Sequence, residues 1–244
     1  MTTLDALTAA NARRWAVARM LESRQASFRA TARRLVAARG QYEAVAAATG
    51  VPWFAIAVIH EREASQRWDA SIAQGDRWDR VSVHVPKGRG PFASWDAAAI
   101  DALTDCAPHA ARWRDWSPGG LCTLLEQYNG LGYAGRGLPS PYIWAGTDQY
   151  RSGKYVADGR FDPDAVDQQL GCAGMLVAMA EIDGSVAAAL ARPRPSVPTI
   201  APPPRTAPMA AKPTPNPLPP LVPAPRPPAL VASILAVIAR LFGR

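Results

Sequence analysis

Apolar and polar positions along the chain fall into segments with different periods. Over residues 4–48 apolar side chains such as Trp15, Ala18, Met20, Leu21, Leu35, Val36 and Val45 recur at helical spacing, while Arg13, Arg14, Arg33 and Arg34 mark an exposed side. That spacing predicts one or two helices. Thr49-Gly50-Val51-Pro52 interrupts them, with Gly50 suited to the position after a helix and Pro52 to the start of the next. Residues 53–63, WFAIAVIHERE, form an apolar run that ends abruptly in charge. The run is too long for a typical strand, so it is predicted to be a buried helix.

Residues 64–93 are polar and rich in turn formers, including Gly75, Pro86, Gly88, Gly90 and Pro91. Within them Arg80-Val81-Ser82-Val83-His84-Val85 alternates, which predicts a short hairpin or ribbon. Ser94 is placed to cap a helix from Trp95 to about Cys106, and Ser117-Pro118 to open another reaching about Tyr128. Residues 129–161 interleave glycines and aromatics as a long loop, a feature that compact domains usually keep for function. Asp162-Pro163 reads as the cap and first residue of a helix running through GMLVAMA to about Ala191. The expected fold is mainly α with one small β hairpin, an α+β arrangement.

Sixteen of the 36 residues from 193 to 228 are proline, a composition that forms a semi-rigid polyproline spacer and no packed core. Beyond it, Leu230, Val231, Ile234, Leu235, Ile238, Leu241 and Phe242 share one helical face, with Ala232, Ser233, Ala236, Ala239 and Arg240 opposite. The chain therefore divides into an N-terminal helical segment (1–42) packing on a main domain (43–192), a linker (193–228) and an amphipathic hydrophobic helix (229–244). The last is short for a membrane span and suits an interfacial position. Disturbing an outer membrane, folding back and self-pairing are the other readings.

Charge is unevenly placed. Residues 1–42 carry eight arginines against two acids, residues 43–190 twelve basic residues against eighteen acids, and residues 191–244 seven basic residues and no acid, within a net charge of +7. Basic ends favour anionic surfaces. The acidic middle and the lack of a recognisable motif argue against nucleic acid as a partner. Cys106, Cys122 and Cys172 have neither CxxC spacing nor an even count, so they read as buried free thiols. No metal or other cofactor is expected. Arginines interrupt any apolar run at the N-terminus, so no signal peptide is expected and synthesis should be cytoplasmic, with release to the periplasm or cell wall.

The sharpest chemistry lies at Glu61 and Glu63, two carboxylates delivered by the end of an apolar helix. Apolar walls disfavour the ionised form and raise a carboxyl pKa, and the negative end of the helix dipole pushes the same way. A carboxyl that stays protonated near neutrality is what a general acid for glycosidic cleavage requires. Residues two apart on a helix diverge, so one of the two faces a cleft. Aromatic residues Tyr142, Trp144, Tyr150 and Tyr155 in the long loop offer faces on which sugar rings can stack.

The segment AIAVIHEREAS resembles the end of the catalytic helix in goose-type lysozymes and lytic transglycosylases, where Ser-Arg-Glu-Ser or Gln-Glu-Ser carries the acid. Arg62-Glu63 matches Arg-Glu, with Ala64 in place of the following Ser and Ser65 one position later. GVPWFAIAVIHERE, AQGD, HVPKGRGPF, LLEQYNGLGY, SPYIWAGT and GKYVADG, in that order across roughly residues 40–180, look still more like phage and prophage endolysins of the lysozyme superfamily. The resemblance implies that Glu63 is the acid. Asp69, Asp76 and Asp79 are candidates for a second carboxylate. Asp76, six residues before Ser82, resembles the Asp-then-Thr spacing of phage-type lysozymes and would orient the attacking water; a turn role for Asp76 is the alternative. Tyr128-Asn129-Gly130 resembles a Tyr-Asn element whose Tyr sits close to the catalytic Glu. With His84, which like His60 also reads as structural, the candidate substrate-side residues are Ser82, His84, Tyr128, Asn129, Tyr142, Trp144 and Tyr150.

The implied function is hydrolysis of the β-1,4 bond between N-acetylmuramic acid and N-acetylglucosamine by a monomeric endolysin. Peptidoglycan strands are the expected partner, together with an envelope surface at residues 229–244. Transglycosylation of the same bond to a 1,6-anhydro product is the near alternative. A non-catalytic wall-binding module is the alternative of another class.

Overall fold

The protein is described here by a computed structural model covering residues 3–191. The spacer expected over 193–228 and the helix over 229–244 lie outside the described residues. Side-chain caps open four of the described helices. Thr3 accepts the Ala6 N–H to open α1 (Leu4–Val17), which is followed by α2 (Glu22–Ala37), α3 (Arg39–Thr49) and α4 (Trp53–Ala64). Gly50 ends α3 in the left-handed region at φ +72°, where a side chain would be strained. Ser94 caps α5 (Trp95–Thr104) through the Ala97 N–H, and a 3₁₀ turn at Ala110–Arg112 follows. Ser117 caps α6 (Pro118–Asn129) through the Gly120 N–H, with Pro118 in the first turn where its missing N–H is harmless. Next come the single turns α7 (Gly132–Gly135) and α8 (Pro141–Trp144), strands β1 (Lys154–Ala157) and β2 (Arg160–Asp162), and helices α9 (Cys172–Ala180) and α10 (Gly184–Leu190).

The core forms around α4, whose residues from Trp53 through His60 are all buried. Helices α2, α3 and α9 pack on it. Ile56 and Ile59 are fully buried, each worth roughly 1.5–3 kcal/mol relative to exposure. Helix α1 lies on α6 at close range: a Cβ on Gly119 would come within 2.8 Å of both the Ala12 Cβ and the Thr8 carbonyl. The polar groups trapped there bond to one another, except for the buried Glu126 Oε1, which has no hydrogen-bond partner within the described residues. Thr8 donates to the Thr123 hydroxyl at 3.1 Å, and Asn11 Nδ2 stands 3.3 Å from that hydroxyl and 3.5 Å from the Glu126 carboxylate. All three cysteines are free and buried.

The architecture is mainly helical with a two-stranded antiparallel sheet, but three boundaries differ from those the sequence predicts. First, residues 4–49 form three helices, not one or two. The first break lets the chain at Arg19–Leu21 pair with residues 146–148, through Leu21 N–H to the Gly146 carbonyl and Asp148 N–H to the Arg19 carbonyl, both at 3.0 Å. Second, the hairpin is at 154–162, not at 80–85. Val81, Val83 and Val85 are all exposed, so their alternation has no core to face. Third, Asp162 caps no helix. Its carboxylate accepts the N–H groups of Asp164 and Ala165 in a turn after β2, and α9 begins only at Cys172. Helix α9 stops at Ala180, and Asp183 caps α10 separately.

Helix α9 passes Phe28 so closely that a Cβ on Gly174 would stand 2.3 Å from the ring. Gly174→Ala should therefore destabilise the fold by about 1–3 kcal/mol, read as a lower urea midpoint with unchanged slope. His60 is fully buried among Tyr42, Trp68 and Trp95; Nε2 donates to the Arg67 carbonyl at 2.9 Å and Nδ1 accepts from the Tyr42 hydroxyl at 3.1 Å. Burial pushes its pKa down to about 4. The unfolded chain then binds more protons between about pH 6.5 and 4, so the stability from neutral His60 is complete above that window and is lost as pH falls through it. The loss should reach about 3 kcal/mol in the difference between urea titrations of wild type and His60→Gln, because the variant lacks the titrating imidazole.

Candidate active site

Glu63 stands where it does because α4 stops sharply. Ser65 and Gln66 both take positive φ, 51° and 56°, and their N–H groups bond back to the carbonyls of Glu61 (2.9 Å) and His60 (3.2 Å), closing the last turn. The polar segment that follows folds back on this end. Gly75 lies so near the Glu63 carbonyl that an added Cβ would stand 2.8 Å from it.

The three charged side chains at the helix end diverge. Glu61 turns toward α2, where its carboxylate lies 3.5 Å from the Arg34 guanidinium. Arg62 is buried: its guanidinium lies over the Tyr142 ring with its carbon 4.6 Å from the centroid, and donates to the Asp167 carboxylate at 3.1 Å and the Leu170 carbonyl at 3.2 Å. Glu63 accepts a 2.8 Å hydrogen bond from the Tyr142 hydroxyl. Burial pushes the Glu63 carboxyl up to about 7, against the smaller opposing effects of the Tyr142 bond and the Arg62 charge. Tyr128 lies near enough that the Glu63 charge adds to burial in raising its phenol pKa. Glu63 is thus a carboxyl that holds its proton into the neutral range, as a proton donor requires, with one oxygen fixed in place by the Tyr142 hydroxyl.

A cavity of about 330 Å³ is lined by Arg62, Asn129, Tyr133, Tyr142, Lys154 and Tyr155, among others, but not by Glu63 itself, whose carboxyl adjoins it through the Tyr142 hydroxyl. Asp167 holds its two cations in place, with Lys154 Nζ at 3.0 Å on one oxygen and Arg62 on the other. Burial raises the Asp167 carboxyl, but the Arg62 charge and the bonds from Lys154 and Arg62 outweigh it and keep the pKa below the usual value. Tyr133 and Tyr155 meet edge to face at 5.2 Å, and the Tyr133 hydroxyl accepts the Tyr155 N–H at 3.0 Å, tying α7 to β1.

The other residues singled out in the sequence separate by environment. Tyr142 and Asn129 reach the cavity, and Tyr128 lies behind it with its hydroxyl toward the Ala102 carbonyl. Trp144 is completely buried, so it has no face for a sugar. Tyr150 is 5% exposed, and its hydroxyl lies 3.3 Å from the Gly153 carbonyl and accepts the Asp167 N–H at 3.0 Å, which makes it a brace for Asp167. Ser82 is buried, donates to the Pro86 carbonyl at 2.8 Å and accepts the Arg89 N–H at 2.9 Å, so its hydroxyl closes its own loop instead of serving a substrate.

Asp76 organises the same loop. One oxygen accepts the N–H groups of Val83 (2.9 Å) and His84 (3.0 Å), and the other lies 2.6 Å from Nδ1 of the exposed His84 ring. Burial pushes the Asp76 carboxyl up, but these bonds outweigh it and lower its pKa. Asp69 and Asp79 are both paired with Arg77, at 3.1 and 2.6 Å.

Lys154 and Asp167 were not among the candidates read from the sequence, and Arg62 entered only as Glu63's neighbour in the motif. GKYVADG was the available signal for Lys154; nothing local marks Asp167, which meets Arg62 across 105 positions. Among the described residues no three His, Cys, Asp or Glu side chains gather as a metal site. No family model, curated protein or solved structure matches the chain.

If Tyr142 opposes the burial effect on Glu63, Tyr142→Phe should move the Glu63 titration to higher pH. Carboxyl-carbon NMR of both proteins would show it: a wild-type midpoint near 7 and a higher one in the variant. Coincident curves, or a wild-type midpoint near that of a free glutamate, would contradict the assigned environment.

Proposed function

We propose that the chain is an endolysin-type muramidase that hydrolyses the β-1,4 bond between N-acetylmuramic acid and N-acetylglucosamine in bacterial peptidoglycan, with Glu63 as general acid. The observation that carries this reading is the Glu63 carboxyl, raised to about 7 by burial at the end of an apolar helix and held by Tyr142 beside a polar, tyrosine-lined cavity. The resemblance of Arg62-Glu63 and its surrounding segments to lysozyme-superfamily endolysins supports the same residue.

Glu63 gives its proton to the glycosidic oxygen as the bond to the anomeric carbon breaks, and an oxocarbenium-like centre develops on the sugar. A water then attacks that centre. Asp76 is the group we assign to it: its pKa is lowered while that of Glu63 is raised, and such a divergence separates base from acid. The adjoining Gly75 against the Glu63 carbonyl brings the Asp76 backbone to the same helix end. A second reading has its own observation. Both Asp76 oxygens already accept hydrogen bonds from the 83–84 segment, which favours transglycosylation, where the sugar's 6-hydroxyl attacks and no water-activating carboxylate is needed.

Glu63→Gln keeps the shape and hydrogen-bonding capacity but has no acidic proton, so it should lose at least about 10²-fold in release of fragments from purified peptidoglycan. Mass spectrometry of the wild-type products separates reducing-end muramic acid from the anhydro form. Full activity in Glu63→Gln would sink the assignment, and no release by wild type would favour a wall-binding module.

A further inference from the structure

The cavity beside Glu63 contains more charge than a neutral sugar needs. Arg62 is 6% exposed and Asp167 4% by side chain, so an ion pair has been taken almost wholly out of water. Such a pair is not in itself a strong source of stability, because desolvation offsets most of the attraction. Lys154 joins at the opening, 38% exposed, on the other oxygen of the same carboxylate. Two cations therefore share one buried anion, and the group carries a formal charge of +1. Asp158 also borders the cavity, but stands in the exposed turn between β1 and β2, where solvent screens it. Of the two acids flanking Arg62 on α4, Glu61 turns to Arg34, and Glu63 is raised by burial into the neutral range and so offsets only part of the charge.

Arg62 also has an unmet requirement. Two of its nitrogens have acceptors, but the buried Nε has none within the protein. A buried donor without an acceptor costs about 1–3 kcal/mol, so the guanidinium is held at the cavity wall against a penalty. Gln169 and the exposed Asn129 add neutral donors and acceptors to the same walls. The volume, about 330 Å³, is at the small end for ligand pockets and fits one sugar substituent or a short peptide piece, not a whole disaccharide-peptide.

We propose that this cavity is a carboxylate-binding subsite in which Arg62 and Lys154, held apart by Asp167, take an anionic substituent of the substrate. The proposal rests on the peptidoglycan reading and specifies what the site recognises beyond the sugar ring. Two sources supply a carboxylate there: the lactyl group of a muramic acid stripped of its peptide, and the acidic residues of the peptide stem. Both present the planar pair of oxygens that a guanidinium and an ammonium can share. No covalent step is involved; the substituent orients the bond to be cleaved relative to Glu63.

Binding is tested apart from catalysis, in the full chain carrying Glu63→Gln. Proton–nitrogen NMR would follow titration with N-acetylmuramic acid, its methyl ester, N-acetylglucosamine and an alanyl-glutamate dipeptide. At least one free carboxylate should bind tenfold or more tightly than the ester and the neutral sugar. Lys154→Gln, which removes the half-exposed ammonium but keeps a side chain able to donate to Asp167, should erase the difference; Arg62→Lys, keeping the charge but not the fork, should weaken it. Which carboxylate binds identifies the source. The cleavage arm compares intact peptidoglycan, peptidoglycan with its carboxyls amidated and glycan stripped of peptide by an amidase. If the stem supplies the carboxylate, amidation should lower kcat/KM at least tenfold and stripping should do the same; if the lactyl group supplies it, stripped glycan should be cleaved at least tenfold more efficiently than intact peptidoglycan. Equal binding of acid and ester, unchanged by Lys154→Gln, overturns the subsite, as does cleavage that responds to neither amidation nor stripping; in that last case the muramidase reading stands. Selective carboxylate binding by a protein whose wild type cleaves nothing would leave the subsite in place and remove the muramidase.

Discussion

Helix α4 must bury eight consecutive residues, from Trp53 to His60, and then release the chain into water within one turn. A helix apolar on every side needs neighbours on every side. Helices α2, α3 and α9 supply them, and α1 closes the far side of the bundle through α6. The same burial that stabilises these helices removes water from the carboxyl at the end of α4. Core packing and the raised pKa of Glu63 are thus one effect seen at two places, the hydrophobic part favouring the fold and the charged part disfavouring ionisation.

Electrostatics around that end is arranged by direction. Glu61, Arg62 and Glu63 are consecutive, yet each leaves the helix toward a different partner: Arg34, Asp167 and Tyr142. Had Arg62 paired with Glu63, the acid would have ionised well below neutrality. Asp167 prevents that by engaging the guanidinium itself, and it is in turn braced by Tyr150, Lys154 and the Gln169 N–H. The hairpin β1–β2 therefore serves the site at a distance. It positions Lys154, which shares the Asp167 carboxylate with Arg62, one on each oxygen.

The parts legible in the sequence were those carried by short-range signals. Thr49-Gly50, Ser94 and Ser117-Pro118 announce helix ends through cap chemistry, and the 53–63 run announces its own burial. Glu63 could be singled out because an apolar run closing in a carboxylate is a local pattern. The failures share a cause. Residues 80–85 alternate like a strand, but whether an alternation has a core to face is decided elsewhere in the chain, and here Asp76 takes the backbone N–H groups that a partner strand would need. Asp162-Pro163 has the composition of a helix start and is a turn, because Asx chemistry serves both. Trp144 and Tyr150 were read as sugar platforms for their aromaticity, a property core residues share. The Arg62–Asp167 pair could not be seen at all, since its two halves meet only after the chain has folded.

Ser65 and Gln66 occupy the left-handed region side by side without being glycine, at a cost of roughly 1–2 kcal/mol per residue. Gln66 offers a reason for its presence, since its amide donates to the Arg34 carbonyl and lies 3.3 Å from the Tyr42 hydroxyl, stitching the turn to α2 and α3. Ser65 is exposed and ends the helix by backbone geometry, which glycine would adopt with less strain. The turn that ends the acid-bearing helix therefore holds an unused reserve of stability. A sturdier descendant of this chain could draw on it at position 65 without touching any group that faces the cavity.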